Sequence, residues 1–154
     1  MSDRPTISYF DSYQHPDRFG DLLGYRVTGF DREKREARVA LSIRDDHLSP
    51  AAKAHGGVIA ALLDYACGIA VCTTLSPADL CSTVEIKVNY FKPVSLGDHI
   101  EARATVTFRG NKLCALNALL MRDGEQEPVA MASATFNIVT NPPKKAGAGP
   151  SATG

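Results

Sequence analysis

The sequence lacks an excess of charge of either sign. Seventeen lysines and arginines are balanced by seventeen aspartates and glutamates in 154 residues, so the formal net charge at pH 7 is zero. Without a net positive field, nothing in the composition favours a nucleic acid or an anionic membrane surface as a partner. We therefore expect no nucleic acid and no membrane among the partners of this protein.

The sequence also lacks the apolar segments that mark targeting or membrane insertion. Its first ten residues, MSDRPTISYF, contain no basic stretch leading into an apolar one. No run reaches the roughly 18 uncharged apolar residues of a membrane span. A cytoplasmic location is therefore the default expectation, and a hydrophobic content of 44% fits one globular domain with a substantial core.

Cysteine and histidine are few and are not arranged as metal ligands. The cysteines show no CxxC spacing and no pairing with histidine, which argues against a zinc site and against a disulfide framework. We expect them to be reduced packing residues. They are Cys67, Cys72, Cys81 and Cys114. His15, His47 and His99 lack metal-ligand spacing and are expected at the surface or in loops. Neither a metal nor another cofactor is predicted.

Six segments have the pattern of strands and one has the pattern of a helix. YRVTGF and EARVALSI alternate apolar and polar residues around the charged stretch DREKR, as a hairpin with one buried face requires. Residues 57 to about 74 are nearly all apolar and lack the polar stripe of a surface helix, so we expect a helix enclosed on most sides. The turn sequences between the later strands imply antiparallel pairing of successive strands. These strands are STVEIKVNYFKP, DHIEARATVTFRG, KLCALNALLMR and PVAMASATFNIV.

The architecture that accommodates these elements is an α+β fold in which a curved antiparallel sheet is rolled around one long central helix, the hot-dog fold. We assign residues 22–139 to this domain. Residues 1–21 are expected to form an N-terminal extension with a short helix. Residues 140–154, which are rich in proline, glycine and small residues, are expected to be a disordered tail.

The stretch HGGVIAALLD, residues 55–64, carries a more specific signal. It resembles the signature of the PaaI-like acyl-CoA thioesterases and of the related 4-hydroxybenzoyl-CoA thioesterases. TVEIKVNYFKPVSLGD and PVAMASATFNIV are similar to the third and closing strands of that family, so the resemblance covers roughly residues 22–139. It implies hydrolysis of an acyl-CoA thioester at a site whose acid and carbonyl-binding glycine come from different subunits.

The residues of this stretch suit thioester hydrolysis on physical grounds as well. The first N–H groups of a helix lack internal acceptors, and without a Cβ at Gly56 or Gly57 a thioester carbonyl could approach them closely. Asp64 follows Gly57 by seven residues, on the same helix face but about 10 Å away along the axis. A second subunit with its helix antiparallel would bring the acid and the glycines together, so we expect a homodimer.

Further roles follow for residues around this helix. Apolar neighbours should raise the pKa of the Asp64 carboxyl, which could then deprotonate a water or attack the carbonyl to form an anhydride, and both routes stay open. The resemblance places His55 in the site, as a substrate-orienting group. Thr83 matches a position whose hydroxyl helps relatives hold the attacking water. Ser49 stands where many relatives have asparagine. Its hydroxyl could donate the same hydrogen bond at shorter reach and help to position the water or the substrate, or this role could be lost.

Coenzyme A needs cations or backbone donors for its phosphates. The candidates follow the third strand or lie in the hairpin FRGNK, and they are Lys92, Arg109, Gly110 and Lys112. Tyr65, Tyr90 and Phe91 line the acyl pocket if they point inward. Aryl-acetyl, medium-chain and long-chain acyl groups all stay open, as does the choice between a dimer and a tetramer.

Two other functions use the same fold. An enoyl-thioester hydratase needs an acid/base histidine paired with a carboxylate at a different spacing, and no such pairing is evident. A non-catalytic acyl-CoA sensor would use the same pocket with an idle acid. Hydrolysis of acyl-CoA thioesters is the function that the motif favours.

Overall fold

One long helix and six strands make up most of the structure, a computed structural model that describes residues 17–140. In chain order the elements are α1 (Arg18–Leu23), β1 (Arg26–Asp31), β2 (Glu36–Ser42), a 3-10 turn (Asp45–His47), α2 (Gly56–Cys72), β3 (Leu80–Tyr90), β4 (His99–Arg109), β5 (Leu113–Arg122) and β6 (Ala130–Val139). His15, most of the expected N-terminal extension and nearly all of the expected tail lie outside the described residues.

The six strands form a single antiparallel sheet in the order β1-β2-β4-β5-β6-β3. The predicted hairpins β1–β2, β4–β5 and β5–β6 are confirmed. The predicted pairing of β3 with β4 is wrong, because the connection between them crosses the end of the sheet. The Phe91 N–H donates to the Val129 carbonyl just before β6, whereas the Gly97 N–H donates to the Ile43 carbonyl just after β2, each at 2.9 Å. β3 therefore pairs with β6 and forms one edge of the sheet.

Helix α2 lies against the inner face of this sheet and contacts β2, β3, β4, β5 and β6. Its buried residues run from Ile59 to Cys72 and include Leu62 and Leu63, which are fully buried. The strands oppose them largely with alanine, whose single methyl group lets the sheet approach the helix closely. These buried alanines are Ala37, Ala102, Ala104, Ala118, Ala130, Ala132 and Ala134. The enclosed helix and the hot-dog fold predicted from the sequence are confirmed.

The loop before α2 is fixed by backbone hydrogen bonds. The His55 N–H donates to the His47 carbonyl at 2.8 Å, and Leu48 and Ala54 form an isolated antiparallel bridge. His47, expected at the surface or in a loop, lies in the 3-10 turn of this loop but is only 1% exposed, and its Nδ1 accepts a hydrogen bond from the Arg44 N–H. It is buried because the loop folds back over its ring. His99, by contrast, is exposed in β4.

Two further features are the burial of the cysteines and the lengths of the helices. Cys67, Cys72 and Cys114 are buried and Cys81 is partly buried, and none of the four is part of a disulfide, which fits packing residues. Within residues 17–140, neither helix is long and apolar enough to cross a bilayer.

Candidate active site

Asp64 and Thr83, two residues singled out from the sequence, are in direct contact. The Thr83 hydroxyl donates a hydrogen bond of 2.8 Å to Asp64 Oδ1. Thr83 belongs to the edge strand β3, where a register irregularity between Thr83 and Glu85 disturbs the pairing with β6. Asp64 Oδ2 has no hydrogen-bond partner among the described residues. One carboxylate oxygen is therefore held, and the other is free to meet a water or a substrate.

The Asp64 side chain is partly buried. Burial raises the pKa of its carboxyl and the hydrogen bond from Thr83 opposes that effect, so the direction expected from the sequence is confirmed. One turn further along α2, burial and then the Asp64 charge raise the pKa of Cys67 to about 12. The Cys67 thiol therefore stays protonated near neutral pH, which leaves the carboxylate as the reactive group on this part of the helix.

A pair of aromatic residues lies towards β1, the edge of the sheet opposite β3. Tyr25, just before β1, packs against Tyr65 of α2 with ring centroids 5.2 Å apart. Burial, and then the charges of Asp17 and Asp64, raise the pKa of Tyr25. Tyr65 was expected near the acyl pocket, but Tyr25 was not identified from the sequence. No local pattern marks it, since its position depends on how the sheet edge closes over α2.

The helix start offers one free amide rather than two. The Gly57 N–H donates to Nδ1 of His55 at 2.9 Å, so His55 is the N-cap of α2 and this amide is occupied. The Gly56 N–H has no partner among the described residues. Because Nδ1 accepts a hydrogen bond, the neutral His55 ring carries its proton on Nε2, and this exposed side chain can donate outward. The structure thus distinguishes the two glycines, as the sequence could not.

A cleft opens beside Gly56. The Tyr90 hydroxyl donates to the Gly56 carbonyl at 2.8 Å and closes one wall. The cleft has a volume of about 300 Å³ and is lined by Ala54, Gly56, Ile59, Tyr90, Phe91, Lys92, Pro93 and Val94. Tyr90 and Phe91 are about half exposed at its rim. The cleft therefore presents aromatic surface beside the first turn of α2.

The predicted coenzyme A residues lie at opposite ends of α2. Lys92 lines the cleft, but its ammonium pairs with Glu125 and Glu127 at 3.2 Å each. Arg109 lies at the other end, where its Nε donates to the Thr74 hydroxyl at 3.0 Å and Nη1 donates to the Gly110 carbonyl. The Gly110 N–H closes the β4–β5 hairpin, and Lys112 is exposed. These residues therefore do not form one cluster.

Ser49 is not brought to Asp64. Its hydroxyl accepts a hydrogen bond of 3.3 Å from the Ala51 N–H within the loop before α2. Its predicted role in positioning water or substrate stays a prediction. Across the part of the chain that is described, no three His, Cys, Asp or Glu side chains are grouped so that they could hold a metal ion.

Asp64 and Gly56 cannot act on one carbonyl within one chain. They are eight residues apart on α2, or about 12 Å along the helix axis. Within a single subunit, the acid and the amide donor are therefore too far apart to contact the same thioester carbonyl.

Comparison with known proteins identifies the family of this chain. The thioesterase superfamily model matches residues 52–129. A Pseudomonas aeruginosa protein named as a candidate esterase is 30% identical over 118 residues, covering 77% of this chain and 86% of that protein. A mutant structure of the phenylacetic acid degradation protein PaaI from Thermus thermophilus is 29% identical with a TM-score of 0.70, covering 79% of this chain and 98% of that one. A Streptococcus mutans structure with acetyl-CoA bound is 23% identical, has a TM-score of 0.69, and covers 76% and 90% of the two chains, a likeness of fold. The chain belongs to the thioesterase superfamily, and it is a thioester hydrolase with the PaaI-like hot-dog fold.

Proposed function

We propose that the protein hydrolyses acyl-CoA thioesters to free acid and CoA in the cytoplasm, at two composite sites of a homodimer. Each site would combine Asp64 of one subunit with the Gly56 amide of the other. The observation that carries this proposal is the separation of about 12 Å between these two groups on one helix. An antiparallel second helix removes that separation, and its two-fold symmetry creates the site twice.

The Gly56 amide would bind the thioester oxygen. It has no partner among the described residues and lies in the first turn of α2, where the helix dipole favours negative charge. One such donor is commonly worth about 3 kcal/mol in the transition state. His55 would orient the substrate through its Nε2–H, because its Nδ1 is engaged with the Gly57 N–H.

Asp64 would drive the cleavage through its free oxygen, Oδ2. As a general base it removes a proton from water, the resulting hydroxide attacks the carbonyl carbon, and the C–S bond breaks to release CoA thiolate. As a nucleophile it forms an anhydride first, with the same release of thiolate, and water then hydrolyses the anhydride. In both routes Thr83 keeps Oδ1 in place. Rapid quenching followed by mass spectrometry separates them, since only the second leaves an acyl group on Asp64.

The acyl group and the thiol carrier are each supported by one observation. The T. thermophilus relative is named for phenylacetic acid degradation, and the S. mutans protein of the same fold has acetyl-CoA bound. A panel of aryl-acetyl, medium-chain and long-chain acyl-CoA substrates, read with a thiol-detecting dye, identifies the acyl group.

Mixed dimers test the composite site. Asp64→Asn removes the acid, and Gly56→Val blocks the approach to the amide, so each homodimer should be inactive. In a mixed dimer one site carries both defects and the other carries none. Random mixing makes half of the dimers mixed, so coexpression should restore about one quarter of the natural activity.

The controls for this experiment are the sizes and folds of the three species. Light scattering should give at least a dimer for each, and circular dichroism should show that Gly56→Val is folded. Mixed dimers without activity, or full activity in a stable monomer, would contradict a shared site. The same sizing experiment decides whether two dimers associate further into a tetramer.

A further inference from the structure

Two neighbouring hairpin tips at the C-terminal end of α2 carry more cations than acids. We call residues 31–36 and 109–112, the β1–β2 and β4–β5 tips, the hairpin patch. It contains five cations, Arg32, Lys34, Arg35, Arg109 and Lys112, and three acids, Asp31, Glu33 and Glu36. The two tips lie side by side because β2 pairs with β4 and the Arg35 carbonyl accepts a hydrogen bond of 3.0 Å from the Val106 N–H.

Two of these cations have a structural task. Arg32 Nη1 donates to the Thr73 carbonyl at 3.1 Å, and Arg109 Nε donates to the Thr74 hydroxyl at 3.0 Å. Both residues therefore anchor the patch to the negative end of the helix dipole.

The other three cations are free to bind an anion. The side chains of Lys34, Arg35 and Lys112 are exposed and have no hydrogen bond or ion pair to any other described residue. The Asp31 carboxylate accepts hydrogen bonds from the N–H groups of residues 33 and 34, so this acid is partly engaged. Glu33 is exposed and reduces the positive potential, but it does not cancel it.

The backbone conformation of Arg35 is unfavourable for an arginine. Its φ is 55°, in the left-handed region that glycine and asparagine adopt readily and that other residues adopt at a cost in free energy. An arginine at this position is explained if its guanidinium is used. Arg35 and Arg109 also share an effect on Cys114, since burial raises the pKa of that thiol while both guanidinium groups lower it.

The distance from Asp64 to the patch fits coenzyme A. Thr74 follows Asp64 by ten residues, or about 15 Å along the direction of α2. The pantetheine arm, from its sulfur to the diphosphate, has about as many bonds as four peptide units, or about 14 Å when extended. The pantetheine arm of a thioester at Asp64 is therefore long enough to reach the hairpin patch.

Within one subunit, the cation at the other end of α2 is already paired. Lys92 contacts Glu125 and Glu127 there at 3.2 Å each.

We propose that the exposed cations of the β1–β2 turn, Lys34 and Arg35, bind the phosphate groups of the CoA nucleotide together with Lys112. The proposal rests on the proposed function for the identity of the substrate. It adds the β1–β2 turn to the site, which the sequence motif does not touch.

Two substrates that differ only in the phosphates provide the test. The acyl-CoA that gives the best thiol release is compared with the corresponding acyl-pantetheine thioester, which has no nucleotide. In Lys34→Gln and in Arg35→Asn, KM for the acyl-CoA should rise about five- to tenfold, because a charge-assisted contact at the surface is lost. KM for the acyl-pantetheine should stay within about twofold of the natural protein.

Arg35→Asn keeps the test independent of folding. Asparagine suits the left-handed conformation, so this variant should melt at or above the temperature of the natural protein. Arg26→Gln is the matched control, since it removes an exposed charge from the other end of β1 and should change neither KM. Equal increases of KM for both substrates, or unchanged KM for both, would overturn the proposal.

A binding experiment separates this proposal from the proposed function. Adenosine 3′,5′-bisphosphate, the phosphate-bearing end of CoA, is titrated calorimetrically into the natural protein and into Arg35→Asn. Binding that weakens about fivefold or more in the variant supports the phosphate site even if no thioester is cleaved. Equal binding by the two proteins, or none by the natural protein, overturns the phosphate site even if hydrolysis is found.

Discussion

Replacing Asp64 by asparagine should abolish activity and at the same time stabilise the fold. The substitution keeps the size of the side chain, and its amide oxygen can still accept the hydrogen bond that Thr83 gives at 2.8 Å. What is lost is the negative charge, and with it the base or nucleophile. Loss of a positioned proton acceptor should lower thiol release by about 10²- to 10⁴-fold.

The gain in stability follows from the raised pKa of Asp64, which burial causes. An acid whose pKa is raised by folding destabilises the native state once it is ionised. Because water still reaches this carboxylate, we expect the gain in the free energy of unfolding to be about 1 kcal/mol after allowance for screening. For a domain of this size that corresponds to an increase in Tm of about 2–4 °C.

The gain should depend on pH in a defined direction. It is fully present above the folded pKa of Asp64, decreases as the pH falls, and disappears below the ordinary aspartate pKa of about 3.9, where the carboxyl is protonated in both states. Thiol release from the acyl-CoA panel and thermal melts at about pH 7 and about pH 3 measure both effects. Asp123→Asn, an exposed carboxylate in the β5–β6 turn, is the control and should change neither.

Two results would refute this reasoning. Natural rates of thiol release from Asp64→Asn would remove the acid from the mechanism. An inactive variant with a lowered Tm at neutral pH would show that the charged carboxylate is stabilised in the native state, contrary to the desolvation argument.

Three further substitutions test the supports of the site and of the sheet. Thr83→Val removes the hydroxyl that donates to the Asp64 carboxylate, so the pKa of Asp64 should rise further. The loss of about 1 kcal/mol predicts that kcat/KM on the acid limb of the pH profile falls about fivefold. An acid limb that does not move would contradict this. Gly57→Ala places a Cβ 3.0 Å from His55 Nδ1, so the His55 ring must shift. Because the N-cap hydrogen bond is weakened, Tm should fall by about 2–4 °C. An unchanged Tm would show that the cap contributes little to stability. Arg122→Gln removes a hydrogen bond of 3.0 Å to Asp98 and the pairing with Glu125. Burial raises the pKa of Asp98, but hydrogen bonds from a backbone N–H and from the Arg122 guanidinium lower the pKa overall. The substitution should therefore lower the free energy of unfolding by about 1 kcal/mol at pH 7. This loss should shrink as the pH falls through the pKa of the Asp98 carboxyl. A loss that is constant with pH would point to packing instead.

Local sequence predicted the elements well because their patterns are short-range. The apolar run predicted a helix from about residue 57 to 74, and α2 spans Gly56–Cys72. All six strands overlap their predicted segments, although β1 ends one residue after its segment and β3 begins two residues before its own. Alternation and turn residues are properties of neighbours along the chain. Pairing is different, because residues 91–98 cross from the β6 side to the β2 side through contacts with Val129 and Ile43. No pattern within that loop indicates this path.

The site was predicted only in part, because some of its contacts join residues that are far apart in the sequence. The motif singled out Asp64 and His55, but the contact of Asp64 with Thr83 joins residues nineteen apart and depends on the fold. The difference between the two glycines could not be predicted, because it is set by the orientation of the His55 ring. The pairing of Lys92 with Glu125 links residues 33 positions apart, so a candidate phosphate ligand from the sequence is occupied in the structure.

The alanines that line the inner face of the sheet limit how this enzyme can be redesigned. They set the spacing between the sheet and α2, and β3 carries the hydroxyl that holds the carboxylate of that helix. A larger side chain such as valine at Ala118 or Ala132 would push the helix outward, although either position is remote from the reacting atoms. Variants made to accept other acyl groups should therefore change residues at the rim of the cleft and leave these methyl groups untouched.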